Sequence, residues 1–227
     1  MAHRAEHDTL PIDAAYGPVR ENVGQVLAAL SRGGREGALR RLAFVGSEHG
    51  VGTTTLATCV ALALVRDIGE QVTLLEGNWS SPAMASYLGL SPTPGLTTVL
   101  AGEATLEEAV RETAVTGLRV LTAGQQRSST WVIEREKVRK AIREGLAQRD
   151  FAIADIPPPL FCPEALSMLE HVDATVLVLR AGSTSRAQAA AATRMLEGAG
   201  RPILGTILNR FRPDRFFAAK GRSGLTS

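Results

Sequence analysis

Lysine is what this sequence lacks most. Of its 25 basic residues only Lys137, Lys140 and Lys220 are lysines, and the first 136 residues hold none. Chemistry that needs an ammonium group in that half of the chain is therefore closed to it. Cysteine is nearly as scarce. Cys59 and Cys162 are too few for a disulfide framework, have no metal-ligand spacing, and read as buried thiols of a reduced compartment. No stretch approaches ~18 uninterrupted apolar residues, which excludes a spanning helix. The N-terminal run Met1 to Pro11 carries charges but no apolar segment of the kind a signal peptide needs. An excess of one charge is also missing: 25 basic against 23 acidic residues, net +2, gives no general electrostatic reason to bind nucleic acid. A cytoplasmic protein is expected.

What is present suits one α/β domain: 227 residues, 44% apolar and 21% charged, enough to bury a real core. Short β-branched runs at Leu42–Val45, Val72–Leu75, Leu118–Leu121, Ala152–Ala154, Thr175–Leu179 and Ile203–Leu208 read as strands. Long helices are expected at Thr53–Arg66, Ile133–Gln148 and Ser185–Gly198, with short ones at Met84–Leu88, Leu96–Ala101 and Leu106–Glu112. This alternation predicts a doubly wound, mainly parallel sheet with helices on both faces. Residues 1–38 form a polar segment with one amphipathic helix, on which Val19, Val23, Val26, Leu27 and Leu30 share a face. The domain proper runs over 39–210, and 211–227 reads as a basic, flexible tail.

Between the first strand and first long helix lies Ser47-Glu48-His49-Gly50-Val51-Gly52-Thr53-Thr54-Thr55. Glycines at a strand-to-helix turn let successive backbone N–H groups face phosphate oxygens at a helix N-terminus. The spacing is that of a phosphate loop, but the lysine position before the hydroxyl residue is Thr53.

Further motifs follow in order. They are Leu74-Leu75-Glu76-Gly77-Asn78-Trp79-Ser80-Ser81-Pro82, the run Leu88 to Ala109, Asp150 to Pro158 with Asp155 at a strand end, Val172 to Gly182, and Gly205 to Arg210. Over residues 40–210 the chain resembles the bacterial tyrosine kinases, relatives of the Min and Par P-loop ATPases. Their second motif reads L-L-I-D-x-D-x-R-x-P and their Walker B strand Y-D-x-x-I-I-D-T-P-P. The resemblance implies a P-loop fold and a nucleotide site at Gly50, Val51, Gly52, Thr53, Thr54 and Thr55. It also implies Mg²⁺ ligation at Thr54 and Asp155, and a base contact at Asn209. It implies partnership with a membrane polysaccharide co-polymerase in capsule and exopolysaccharide export.

The departures from that pattern fall on working parts. The phosphate-loop lysine is Thr53, and the Min/Par signature lysine would be Glu48, a reversal of charge. The second motif's aspartates become Glu76 and Asn78, and its arginine Ser80. The assembly motif E-x-x-R-x-x-R falls on Ala14, Gly17 and Arg20, and the only tyrosines are Tyr16 and Tyr87, so the C-terminal tyrosine cluster is absent. A charge-assisted hydrogen bond contributes about 1.5–3 kcal/mol, so losing the lysine weakens phosphate binding about 10- to 150-fold and removes charge compensation from phosphoryl transfer. No catalytic residue is expected, the family positions being altered at Thr53, Glu76 and Asn78.

Single residues leave alternatives. His49, at a proline position of the family, is a replacement charge or a plain loop residue. Thr53, Thr54 and Thr55 offer a hydroxyl to Mg²⁺ or serve as hydroxyl residues that start the helix. Asp155 holds a metal-bound water or is satisfied by loop N–H groups. Trp79 is a packing residue, a partner contact or a base stacker. The tail's Arg210, Arg212, Arg215, Lys220 and Arg222 are solvated, or touch anionic lipid or a partner's acidic segment.

The expectation is a catalytically degenerate relative of these kinases that regulates exopolysaccharide or capsule synthesis. It would do so by binding the cytoplasmic tail of an inner-membrane co-polymerase. It would be peripheral to the membrane through that partner, a monomer or small oligomer, with no cofactor or only weakly bound ATP or ADP with Mg²⁺. The alternatives are an active ATP-dependent tyrosine kinase or ATPase with an unusual phosphate loop, and a Min/Par-type positioning ATPase, which Glu48 and Thr53 oppose.

Overall fold

The computed structural model describes residues 11–33, 39–127, 134–147 and 151–212. Seven strands form one sheet: β1 (Arg41–Gly46), β2 (Val72–Glu76), β3 (Val110–Glu112), β4 (Leu118–Leu121), β5 (Phe151–Ile156), β6 (Ala174–Arg180) and β7 (Ile203–Asn209). Their order is β3-β4-β2-β5-β1-β6-β7, with every pair parallel except β3 with β4. The doubly wound, mainly parallel sheet is thus as the sequence predicts.

Central strands covered on both faces read as continuous apolar runs, as in β1, where every residue after Arg41 is buried. Along β1, Leu42 and Phe44 enter one core cluster, and Ala43 and Val45 enter the other. The first cluster is closed by α1 (Asp13–Gly33) and α2 (Thr53–Ala63). The second is closed by α4 (Leu96–Ala101), α6 (Arg135–Leu146), α7 (Glu164–Leu169) and α8 (Arg186–Gly198). Two short helices, α3 (Met84–Tyr87) and α5 (Leu106–Ala109), also lie among the described residues.

Three boundaries differ from the sequence reading. The expected helix Leu106–Glu112 stops at Ala109, and Val110–Glu112 becomes an edge strand paired antiparallel with β4. Three residues are too few for alternation to register, and the pairing, reinforced by an Arg119–Glu112 ion pair, is a tertiary effect. The first long helix leaves α geometry after Ala63 and finishes as a π turn, Leu64–Ile68, capped by Gly69 at φ 86°. The amphipathic segment Val19–Leu30 is the middle of a longer helix. Residues 1–10, the ends of the expected helix at Ile133 and Gln148, and the tail with Arg215, Lys220 and Arg222 lie outside the described residues, as do the side chains of Leu27 and Leu30.

Helix α1 is bound to the domain by apolar and polar contacts together. Ile12, Tyr16 and Val23 are buried in the first cluster. The Tyr16 hydroxyl donates to Asp67 Oδ2 at 2.7 Å, Arg20 holds both oxygens of the same carboxylate, and Arg66 pairs with Asp13 at 2.7 Å. Arg20, the one arginine kept from the family's assembly motif, is therefore engaged within its own chain, while Gly17 faces open space.

Burial and the bond to Asp67 push the Tyr16 hydroxyl up to about 12. Its folded value lies above its unfolded value of about 10, so the stability it contributes is complete below pH ~10 and fades as pH rises toward 12. Tyr16→Phe should lower stability by about 1 kcal/mol at neutral pH and flatten that alkaline decline, as urea midpoints at pH 8, 10 and 11.5 would show.

Candidate functional site

The carboxyl ends of β1, β5, β6 and β7 converge on the loop 46–52. Such sheets place ligand sites at their strands' carboxyl ends. The loop leaves β1 at Gly46, where an added Cβ would lie 2.8 Å from Thr53 Oγ1. Ser47, fully buried, donates its N–H to the Val178 carbonyl of β6 at 3.0 Å. Gly50 and Gly52 take φ of 75° and 94°, left-handed values that a side chain would strain. At Gly52 a Cβ would also meet Asn209 Nδ2 at 2.3 Å. From Gly50 to Thr55, no backbone N–H is taken by an acceptor among the described residues, and α2 has no side-chain cap at its N-terminus. The arrangement is an anion cradle with its donors unused.

The three threonines part company. Thr54 Oγ1 donates to Asp155 Oδ2 at 2.6 Å, joining the two residues that the sequence pairs as metal ligands. Thr55 donates to the Tyr87 hydroxyl at 3.4 Å. Thr53 sets its hydroxyl back toward Gly46. All three form the first turn of α2, as the helix-start alternative has it, with Gly52 at the cap position and no side-chain cap bond. Asp155 is satisfied by a hydroxyl and not by loop N–H groups.

Asp155 is 1% exposed and sits beside Glu76 in the β2–β5 register. Burial pushes its carboxyl up to about 7, opposed by the Thr54 hydroxyl and aided by the negative Glu76. Glu76 is also raised by burial, against three backbone donors. Those donors are Ala83 N–H at 2.6 Å and Met84 N–H at 3.0 Å on Oε1, and Ala123 N–H at 3.0 Å on Oε2. At the family's aspartate position this chain thus has a carboxylate that knots the start of α3 to the end of β4. Asn78 accepts from Ser80 Oγ at 2.9 Å, so two altered positions of the second motif bond to each other. Among the described residues no cluster of three or more metal-ligating side chains occurs.

Glu48 turns to the β6–α8 loop. Its carboxylate accepts from Ser183 Oγ at 3.2 Å, Thr184 Oγ1 at 3.0 Å and Gln188 Nε2 at 3.3 Å. Asn209 is brought to the loop from β7, with Nδ2 donating to the Val51 carbonyl at 2.7 Å. His49 is exposed and packs its ring 5.1 Å from that of Phe161. Trp79 is 2% exposed in the second core cluster, a packing residue. Burial pushes both cysteine thiols up to about 12, consistent with inert core positions.

The sequence reading passed over Arg180, although its segment carried the family resemblance. It ends β6 and places Nη1 3.5 Å from the Gly50 carbonyl. Only the β1–β6 register (Gly46 beside Val178) brings it there. No helix among the described residues is long and apolar enough to cross a membrane.

No protein-family model matches the chain. Tyrosine-protein kinase YwqD of Bacillus subtilis (strain 168) is 31% identical over 167 residues, covering 70% of this chain and 68% of that protein. Tyrosine-protein kinase CpsD of Streptococcus agalactiae is 29% identical over 171 residues, 74% of each. The chain belongs to the bacterial tyrosine-protein kinase family. Its fold matches the chimerical protein CapA2B2 (TM-score 0.76, 20% identity, 86% of this chain and 85% of that one). It also matches the septum site-determining protein MinD of Pyrococcus horikoshii OT3, solved with Mg-ADP (TM-score 0.64, 25% identity, 77% and 75% covered).

Two outcomes follow from the buried carboxylates. Restoring the family residue with Glu76→Asp shortens the side chain by a methylene and leaves at least one of three buried N–H groups without its partner. A loss of about 1–3 kcal/mol is expected in chemical denaturation, with no gain of activity. For Asp155 the folded value lies above the unfolded one, so the folded state holds the extra proton between pH ~4 and 7 and stability falls as pH rises through that window. Asp155→Asn should remove this slope, as denaturation midpoints at pH 5 and 7.5 in metal-free buffer would register.

Proposed function

We propose that this protein is a member of the tyrosine-kinase family that no longer transfers phosphate and acts by binding in capsule or exopolysaccharide synthesis. Thr53 carries the reading. At the position of the family's phosphate-loop lysine stands a neutral hydroxyl, turned back toward Gly46. Phosphoryl transfer depends on positioning and charge stabilisation. Here Glu76 is committed to backbone N–H groups and Asn78 to Ser80, so no carboxylate of the second motif is left to assist a hydroxyl nucleophile.

Binding chemistry survives better. In this reading Gly50, Val51, Gly52, Thr53, Thr54 and Thr55 receive nucleotide phosphates through their N–H groups, and Asn209 keeps the loop in shape. Thr54 and Asp155 hold Mg²⁺, which would neutralise phosphate charge when bound. Affinity for ATP or ADP is weak. The partner is the cytoplasmic tail of a membrane polysaccharide co-polymerase, which keeps the protein at the inner face of the membrane. Engagement of Arg20 by Asp67 and the loss of side chain at Gly17 favour a monomer or small oligomer over a ring.

The second reading, an active ATP-dependent tyrosine kinase or ATPase, is favoured by one observation: Thr54 and Asp155 stand 2.6 Å apart in a well-formed loop. Complementation of a deletion strain separates the two. Deletion should lower polymer output or alter its chain length. Asp155→Asn, present at wild-type abundance, should restore output as well as the wild-type gene does. If Asp155→Asn behaves like the deletion, phosphotransfer is the function and the enzyme reading replaces this one.

A further inference from the structure

The strand ends flanking the loop grip two consecutive carbonyls. Asn209 of β7 takes that of Val51, and Arg180 of β6, its register partner, reaches that of Gly50. The two contacts differ. The Asn209 bond is 2.7 Å long, whereas the Arg180 contact is at the outer limit of a hydrogen bond, 3.5 Å. Arg180 is half-buried, and its guanidinium carries five donors, of which one is used in this way.

No carboxylate among the described residues forms an ion pair with it. Glu48, the acid of the same loop, bonds to Ser183, Thr184 and Gln188. Among the described residues Arg180 is thus the one whose basic side chain reaches the loop backbone. It brings a positive charge with no ion-pair partner among the described residues to a cradle of unused N–H groups whose own cation position is Thr53. The turn after β6 fixes its base: Arg180 N–H donates to Thr184 Oγ1 at 2.9 Å, and its carbonyl accepts from Ser183 and Thr184.

We infer that Arg180 is the phosphate-binding cation of this loop, standing in from β6 for the lysine that is absent at position 53. The inference rests on the reading that the loop still takes the phosphates of a nucleotide. It makes the long Gly50 contact a resting position. On binding, the guanidinium exchanges that carbonyl for phosphate oxygens, to which its fork geometry is suited.

The test is calorimetric titration of the full chain with Mg-ADP, at low and high KCl. Arg180→Ala should weaken binding about tenfold, the size of one charge-assisted contact, with Arg180→Lys, which keeps the charge but not the fork, falling between the two. Its binding should also depend less on salt, since a screened charge contact has been removed. In a Thr53→Lys background, where the charge is supplied from α2, Arg180→Ala should cost no more than about threefold, the non-additivity expected of two groups that serve one phosphate.

Equal affinity of Arg180→Ala and wild type would overturn the inference. So would a loss with unchanged salt dependence, which would make Arg180 a scaffold of the loop. If wild type fails to bind Mg-ADP and Thr53→Lys binds it, Arg180 does not act as the cation, while the cradle reading stands. If neither binds, the cradle reading fails and the inference with it.

Discussion

The parallel pairing of β1 with β5 on one side and β6 on the other decides where every group of the site can be. Register sets Phe44 beside Asp155 and Gly46 beside Val178. The loop leaving β1 therefore runs between a buried carboxylate and the turn that follows β6. The strand starts are fixed as well, since Asp173 Oδ2 accepts the N–H groups of both Arg40 and Arg41 at 2.8 Å. A slip of one residue would turn each side chain to the opposite face, and Thr54 would no longer meet Asp155.

Electrostatics then sets the character of the site. Two buried carboxylates, Asp155 and Glu76, lie side by side with no cation bonded to either among the described residues. The protein meets this in two ways. Glu76 is given three backbone donors, which make it a fixture of the fold. Asp155 is given one hydroxyl, and burial outweighs it, pushing the carboxyl up to about 7. A Walker-type loop with lysine would add charge from the helix side. Here positive charge approaches from β6, where Arg180 reaches the Gly50 carbonyl.

Much of this was legible in the chain. Apolar runs gave the strands of a parallel sheet, Gly50 and Gly52 marked the loop, and the pairing of Thr54 with Asp155 followed from the family pattern. Other features were not legible. Val110–Glu112 was read as helix because three residues carry no period of their own. Glu76 read as an altered position of the second motif, whereas its carboxylate serves three N–H groups from two segments. Glu48 read as a reversal of charge at the signature lysine position, but a loop 135 residues further on supplies its hydroxyl partner Ser183. Arg20 read as a surviving interface residue, and the π turn at Leu64–Ile68 presents Asp67 to it instead.

The sequence by itself determined the fold class, the place of the phosphate loop and the absence of lysine from it, because these depend on local composition and order. Tertiary structure decided that Glu76 is a knot of backbone bonds and Asp155 a buried partner of Thr54, where Glu48 turns, and that Arg180 stands beside Gly50. Those are properties of strand register and of the distance between side chains far apart in the chain, and burial, with Thr54 and Glu76 beside it, sets the protonation of Asp155.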